Sequence, residues 1–260
     1  MMRLTHVGGP TVLIELDGWR ILTDPTFDPP GRRYRFGWGT SSTKTAGPSV
    51  SPEELGSVDV VLLSHDHHAD NLDDVGRTLL PRAGVVVTTQ AGKRRLRGQN
   101  IRGLRAGEST QVTAPGRVTL TVTATPCRHG PPLSRPIAGA VIGFAVTPSD
   151  QTATRLWMSG DTVLNRPVRR VAEQLDVDVL LMHLGAVQFP QTGRLRYSMN
   201  SQDALRLIEL AQPRVAVPVH FEGWSHFSEP EQHLRTVLAR GPQLSGEPIT
   251  WLTRGQPRTV

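Results

Sequence analysis

The stretch VVLLSHDHHADNLDD, residues 60–74, decides how the rest of this chain is read. Four β-prone apolar residues, Val60 to Leu63, end abruptly at Ser64. His65, Asp66, His67, His68, Asp70 and Asp73 then crowd into the next nine positions. A short apolar run bounded by a turn reads as a buried strand. Such a strand is rigid, the turn after it is open, and neutral imidazole with carboxylate suits a borderline divalent ion. A solvated polar turn is the simpler reading, and three histidines within four positions argue against it.

The surrounding composition sets bounds. The 260 residues have room for a sizeable core, and a single domain over 1–260 is the expectation. An apolar content of 37% with 21 Pro and 25 Gly suits a loop-rich α/β protein rather than a disordered chain. No apolar run approaches the roughly 20 residues that span a bilayer. The opening MMRLTHVGGP lacks the apolar segment of a signal peptide, and the single Cys127 excludes an intrachain disulfide framework. A cytoplasmic protein is expected. The net charge of +6 is carried almost wholly by arginine, with Lys only at 44 and 93. The clusters Arg32, Arg33, Arg35 and Lys93, Arg94, Arg95, Arg97 are short and lack an aromatic platform, so they give no specific nucleic-acid signal. An anionic group on a small-molecule substrate is a secondary reading of the same excess.

Working outward, residues 3–28 read as a hairpin, with Thr11–Leu16 and Trp19–Thr23 joined by Asp17-Gly18. Asp24-Pro25 stops the second strand, and Asp24 at its end could brace a metal-binding loop or simply cap a turn. Residues 28–50 read as a long loop whose aromatics Tyr34, Phe36 and Trp38 could line a substrate mouth or pack against a second subunit of a homo-oligomer. Ser51-Pro52 starts a helix. Strands are expected at 85–89, 111–114, 118–125, 137–147, 155–158, 177–182 and 215–219. Helices are expected at 71–80, 91–97, 168–175, 202–211 with Ser201 as cap, and 229–240.

Four of these apolar strands run out into a potential ligand: Leu63 before His65, Ala124 before His129, Met158 before Asp161, and Val219 before His220. A lone His129 or His220 would more often be a packed histidine. Together they point to one site assembled from separate strand ends.

These residues resemble the metallo-β-lactamase superfamily, most closely its ascorbate-6-phosphate lactonase-like and N-acyl-phosphatidylethanolamine phospholipase D-like branch. The opening THVGGPTVLIELDGWRILTDP looks like that branch's first hairpin, and SHDHHADNLD stands where the family has Ser/Thr-His-x-His-x-Asp-His-Leu-Asp. RHG at 128–130, SGDT at 159–162 and PVHFEGWSHF at 218–227 stand at its third metal histidine, its bridging Asp and its last histidine. The resemblance implies an α/β fold of four layers, an αβ/βα sandwich, with the site along one sheet edge. It also implies one or two divalent ions, zinc or manganese, and a metal-activated water acting on an ester, lactone or phosphodiester.

The run at 64–71 is one residue longer than the family pattern. Aligned from its front, His65 and His67 form the first pair. Aligned from its back, His68 and Asp70 are retained, Asp66 replaces the first histidine, and Asn71 stands where the family has His. The implied metal ligands are therefore drawn from His65, His67, His68, Asp70, His129, Asp161 and His220. Asp70 would orient the water and take its proton. His226 could protonate a leaving group; His183 has a similar claim, and for both a packing role stands beside the chemical one. Two alternatives to a hydrolase are a non-catalytic binding protein of the same fold, suggested by Asn71, and a nucleic-acid-processing member, suggested by the charge.

Overall fold

A computed structural model describes residues 1–37, 39–241 and 249–260. The first half of the chain runs β1 (Met2–Gly8), β2 (Thr11–Leu16), β3 (Trp19–Thr23), the hairpin β4 (Arg33–Gly37) and β5 (Thr40–Thr43), α1 (Pro52–Leu55), β6 (Val60–Leu62), α2 (Asp74–Leu79), β7 (Val85–Thr89), α3 (Gln90–Leu96) and β8 (Ile101–Leu104). The second half runs β9 (Ser109–Val112), β10 (Leu120–Pro126), α4 (Arg135–Ala138), β11 (Ile142–Pro148), β12 (Thr154–Met158), α5 (Arg166–Gln174), β13 (Val177–His183), α6 (Ser201–Ala211), β14 (Val215–Val219), α7 (Glu231–Leu238) and β15 (Pro257–Thr259).

Two sheets form, in the orders β15-β1-β2-β3-β6-β7-β8 and β14-β13-β12-β11-β10-β9. Their facing surfaces bury Ile14, Leu62 and Val87 from one sheet against Phe144, Met158 and Leu181 from the other. A second apolar layer places the opposite side chains of the first sheet, among them Leu22, Val61 and Val86, against Leu55 and Leu79 of its helices. A third packs Trp157, Leu180 and Ala216 under α5, α6 and α7. On α6 the buried apolar residues are Ala204, Leu207, Ile208 and Ala211, the i, i+3, i+4, i+7 stripe that one helix face requires. The result is the expected four-layer αβ/βα sandwich. Strands covered on both faces become continuous apolar runs, which is why 60–63, 85–87 and 215–219 were so plain in the sequence.

Strand direction positions the site. β3 pairs parallel with β6, and β12, β13 and β14 are mutually parallel. β10 is antiparallel to β11, which is antiparallel to β12, so β10 runs the same way as β12. The carboxyl ends of β3, β6, β10, β12, β13 and β14 therefore open on one edge, where ligands of open α/β sheets bind. The Ile142 N–H donates to the Ser64 carbonyl at 3.2 Å and ties the two sheets at that edge.

Several expectations are corrected. Residues 2–8 form a strand of their own ahead of the predicted hairpin. The loop at 28–50 contains the hairpin β4–β5; Trp38 lies outside the described residues. Residues 135–138 are helical, so the strand predicted from 137 begins at Ile142, because Gly139 at φ +68° breaks the chain direction there. Asn200, not Ser201, caps α6: its side chain accepts the Asp203 N–H at 2.9 Å, and Ser201 is the first helical residue. Among the described residues no helix is long and apolar enough to cross a membrane.

Candidate metal centre

Of the nine histidines, all but His6 and His233 converge on this edge. Asp24 joins the parts. It follows β3 at φ +28°, a conformation few non-glycine residues adopt. Its Oδ1 accepts the Ser64 N–H at 2.6 Å; its Oδ2 accepts the Ser64 hydroxyl at 2.8 Å and the Asn71 amide at 3.1 Å. The same oxygen lies 3.3 Å from His183 Nε2. The carboxylate at this strand end does brace the loop that follows β6.

In that loop His65 and His68 face each other, while Asp66 and His67 are engaged elsewhere. His65 Nε2 and His68 Nδ1 are 3.2 Å apart. Adjacent nitrogens on a tetrahedral zinc at about 2.05 Å would be about 3.3 Å apart. Asp66 faces the other way: the Arg95 guanidinium of α3 grips its carboxylate, with one bond of 2.7 Å, and Arg77 donates to its carbonyl. Asp66 thus stands outside the candidate metal groups. His67 stays within 4.8 Å of His65 and His68, but its Nε2 is 2.8 Å from the Ala138 carbonyl, fastening the loop to α4. The one-turn bonds from Asn71 N–H and Leu72 N–H to the His68 carbonyl, 3.2 and 2.9 Å, turn Asp70 inward.

The second half contributes one group per strand end. His129 follows β10 with its Nδ1 2.7 Å from the Tyr197 carbonyl, so Nδ1 donates there and Nε2 is the nitrogen left to face the site. Ligand atoms of His65, His129 and Asp161 lie within 4.8 Å of one another, as do those of Asp161, His183 and His220. Asp161 therefore belongs to both groups. His220 sits at φ +55°, with its N–H donating to the Gly9 carbonyl at 2.9 Å. That backbone conformation, uncommon outside glycine, aims its Nδ1 at Asp161 Oδ1, 2.9 Å away, and its Nε2 at Asp70 Oδ2, 3.6 Å away. His226 Nε2 is 3.3 Å from the same Asp70 oxygen.

The electrostatics suit a cation. Burial holds the His65 and His68 imidazoles well below their usual range, and the crowding of neighbouring imidazoles adds to it, so both are neutral donors. Burial alone would also pull His220 down, but the Asp161 and Asp70 carboxylates outweigh it and push its pKa up to about 10. Burial would raise the carboxyls; the surrounding imidazoles instead hold Asp70 and Asp161 well below the carboxylate range. Two buried carboxylates facing one imidazole mark a place built for positive charge. Among the described residues Asp161 Oδ2, Asp70 Oδ1, Asn71 Oδ1, His220 Nε2 and His183 Nδ1 are buried with no hydrogen-bond partner. Buried polar atoms are rarely left so. A set of imidazole nitrogens and carboxylate oxygens fits zinc or manganese.

Above this floor of His68, Asp70 and His129 lies a pocket of about 50 Å³, walled by Phe36, Val187, Phe189 and Tyr197. Phe36 comes from the β4–β5 hairpin and meets the rings of His68 and His226 at centroid distances of 5.3 and 5.5 Å. The hairpin is fixed from below by Lys44, whose Nζ is 2.8 Å from Asp73 Oδ2, both buried. The sequence reading missed Val187, Phe189 and Tyr197. The available signal was length: a connection from His183 to Asn200 is too long for a simple loop, and such loops are usually functional.

Fold and site together define an αβ/βα sandwich carrying, on its sheet edge, a His/Asp cluster that could hold a metal ion. Residues 19–221 match the family model described as a beta-lactamase superfamily domain, and the chain belongs to that superfamily. It is 27% identical over 229 residues to a metal-dependent hydrolase of Carboxydothermus hydrogenoformans, covering 86% of each chain. It is 28% identical over 228 residues to one of Opitutus terrae, covering 85% of each. Among solved structures, a possible metal-dependent hydrolase from Veillonella parvula superposes with a TM-score of 0.81 at 21% identity over 100% of both chains. An isothiocyanate hydrolase from Delia radicum gut bacteria superposes with a TM-score of 0.80 at 21% identity, covering 99% of this chain and 98% of that one. These two share the fold.

Proposed function

We propose that this chain is a metal-dependent hydrolase, a single domain over 1–260, acting on an ester or lactone of a small molecule. The observation that carries the reading is the set of buried, unpartnered carboxylate and imidazole atoms around Asp161. His65, His68, His129 and Asp161 would hold one divalent ion. Asp161, His183 and His220 would hold a second, with His183 serving where the family pattern has the histidine that Asn71 replaces. The ion would lower the pKa of a bound water toward about 7 and polarise the scissile oxygen.

The chain's own residues do the rest. Asp70 has one oxygen toward His220 and His226 and the other unpaired, so it can orient the attacking water and receive its proton. His226, 3.3 Å from Asp70 and boxed by Phe36, Phe189 and Trp224, can relay that proton to the leaving oxygen. The aromatic walls exclude bulk water and accept an apolar group. That apolar lining, with no cationic side chain around the pocket among the described residues, favours a carbonyl ester or lactone over a phosphodiester.

The test is metal analysis of the purified protein beside His129→Ala and Asp161→Ala. One or two equivalents of zinc or manganese, lost in both variants together with hydrolysis of simple esters, is the expected result. No bound metal, and no activity or thermal shift on adding it, would leave a binding protein of the same fold.

A further inference from the structure

Next to His129, which also lines the aromatic pocket, is a cleft of about 490 Å³. Four arginines line it: Arg94 from α3, Arg105 from the turn after β8, Arg128 from the strand end before His129, and Arg135 from α4. No Asp or Glu among the described residues lines it. The side chains of Arg94 and Arg135 make no hydrogen bond or ion pair among the described residues. Arg128 gives only its Nε, to the Gly130 carbonyl at 3.2 Å, and Arg105 shares an exposed contact of 3.4 Å with Glu108. The neighbouring Arg95, by contrast, is consumed by Asp66. The dense basic run at 93–97 therefore sends one charge inward to lock the metal loop and another into the cleft.

Four guanidinium groups from four segments repel one another unless an anion joins them. Their planar forks match a carboxylate or phosphate. His129 lines both the cleft and the aromatic pocket, so a molecule spanning that histidine would place its anionic end in the cleft and its apolar part over Asp70. We propose that the Arg94–Arg105–Arg128–Arg135 cleft is an anion subsite that takes a carboxylate or phosphate monoester borne by the substrate, distant from the bond that is cleaved. The assignment of a substrate to it rests on the hydrolase reading above; the anion site itself does not.

The experiment titrates inorganic phosphate and, separately, succinate into the purified protein and into Arg94→Gln/Arg135→Gln, followed by calorimetry. Both side chains are exposed and unpaired, so the variant keeps its fold, which its thermal midpoint and metal content check. The expected result is a Kd raised at least tenfold for one of the two anions, and the anion that responds identifies the group. An anion held by the metal would bind both proteins alike; that outcome, or no binding to the unaltered protein, overturns the proposal. Hydrolysis of 4-nitrophenyl monosuccinate against 4-nitrophenyl butyrate then tests the substrate half. The ratio of their kcat/KM values should fall at least tenfold in the variant, and an unmoved ratio overturns that half. If neither ester is cleaved with metal present while the tenfold change in Kd stands, the hydrolase reading fails and the anion site survives.

Discussion

Between Ser64 and Asn71 a single loop supplies His65, His68 and Asp70, whereas in the second half of the chain His129, Asp161, His183 and His220 come one apiece from the ends of β10, β12, β13 and β14. The first arrangement can tolerate an added residue. The loop bulges at Asp66 and His67, hands Asp66 to Arg95 and His67 to Ala138, and still turns His68 and Asp70 inward. The second arrangement has less slack, because His183 is the last residue of β13 and His220 follows β14 directly, so both are fixed by the register of their strands. Flexibility of sequence therefore concentrates in the loop, and rigidity of geometry in the opposite sheet.

Asp24 couples the two arrangements, and removing it breaks the comparison most severely. Asp24→Ala deprives the Ser64 N–H and hydroxyl, the Asn71 amide and His183 of their shared acceptor in a fully buried site. A loss of about 3 kcal/mol in urea unfolding is expected, with reduced metal content, since buried groups left unpaired carry the full desolvation penalty. Within the loop, His68→Ala should weaken metal binding beyond the roughly 10–100-fold that supporting residues contribute, while His67→Ala should stay within that range. Equal losses in a metal titration would mean that the loop spends both histidines on the ion.

A sharper comparison uses the exchange between Asn71 and His183. His183→Ala should lower the metal stoichiometry by one equivalent, and Asn71→His in the same protein should restore it, as read by metal analysis. No restoration would leave His183 as a support for Asp24 alone. The smallest effect is expected far from the site: Ser51→Ala removes one arm of the capping box with Glu54 on α1, costing about 1 kcal/mol in unfolding with no change in metal content.

The fold was legible where burial is continuous. Val85–Thr89 and Val215–Val219 are strands over those residues because their apolar β-branched runs leave no other period. It was least legible at 28–50 and 184–200, where side chains are chosen for a neighbour distant in sequence. Phe36 is explained by its ring contacts with His68 and His226, and Tyr197 by its ring contact with His129, and none of these partners is visible from the local pattern. Ser201 was mistaken for the cap of α6 because Asn200 and Ser201 are both good caps; only the backbone of Asn200, extended rather than helical, decides between them.

By itself the sequence determined that polar groups with metal-ligand chemistry follow buried strands, since a strand must be apolar to be covered and a ligand must be polar to bind. The register of the lengthened loop was a tertiary decision. So were the turn of Asp66 away from the histidine cluster, the meeting of His183 with Asp161 and His220, and the gathering of four arginines beside His129. Each depends on where a second, distant segment lies, and a one-dimensional pattern carries only the spacing of a residue from its own neighbours.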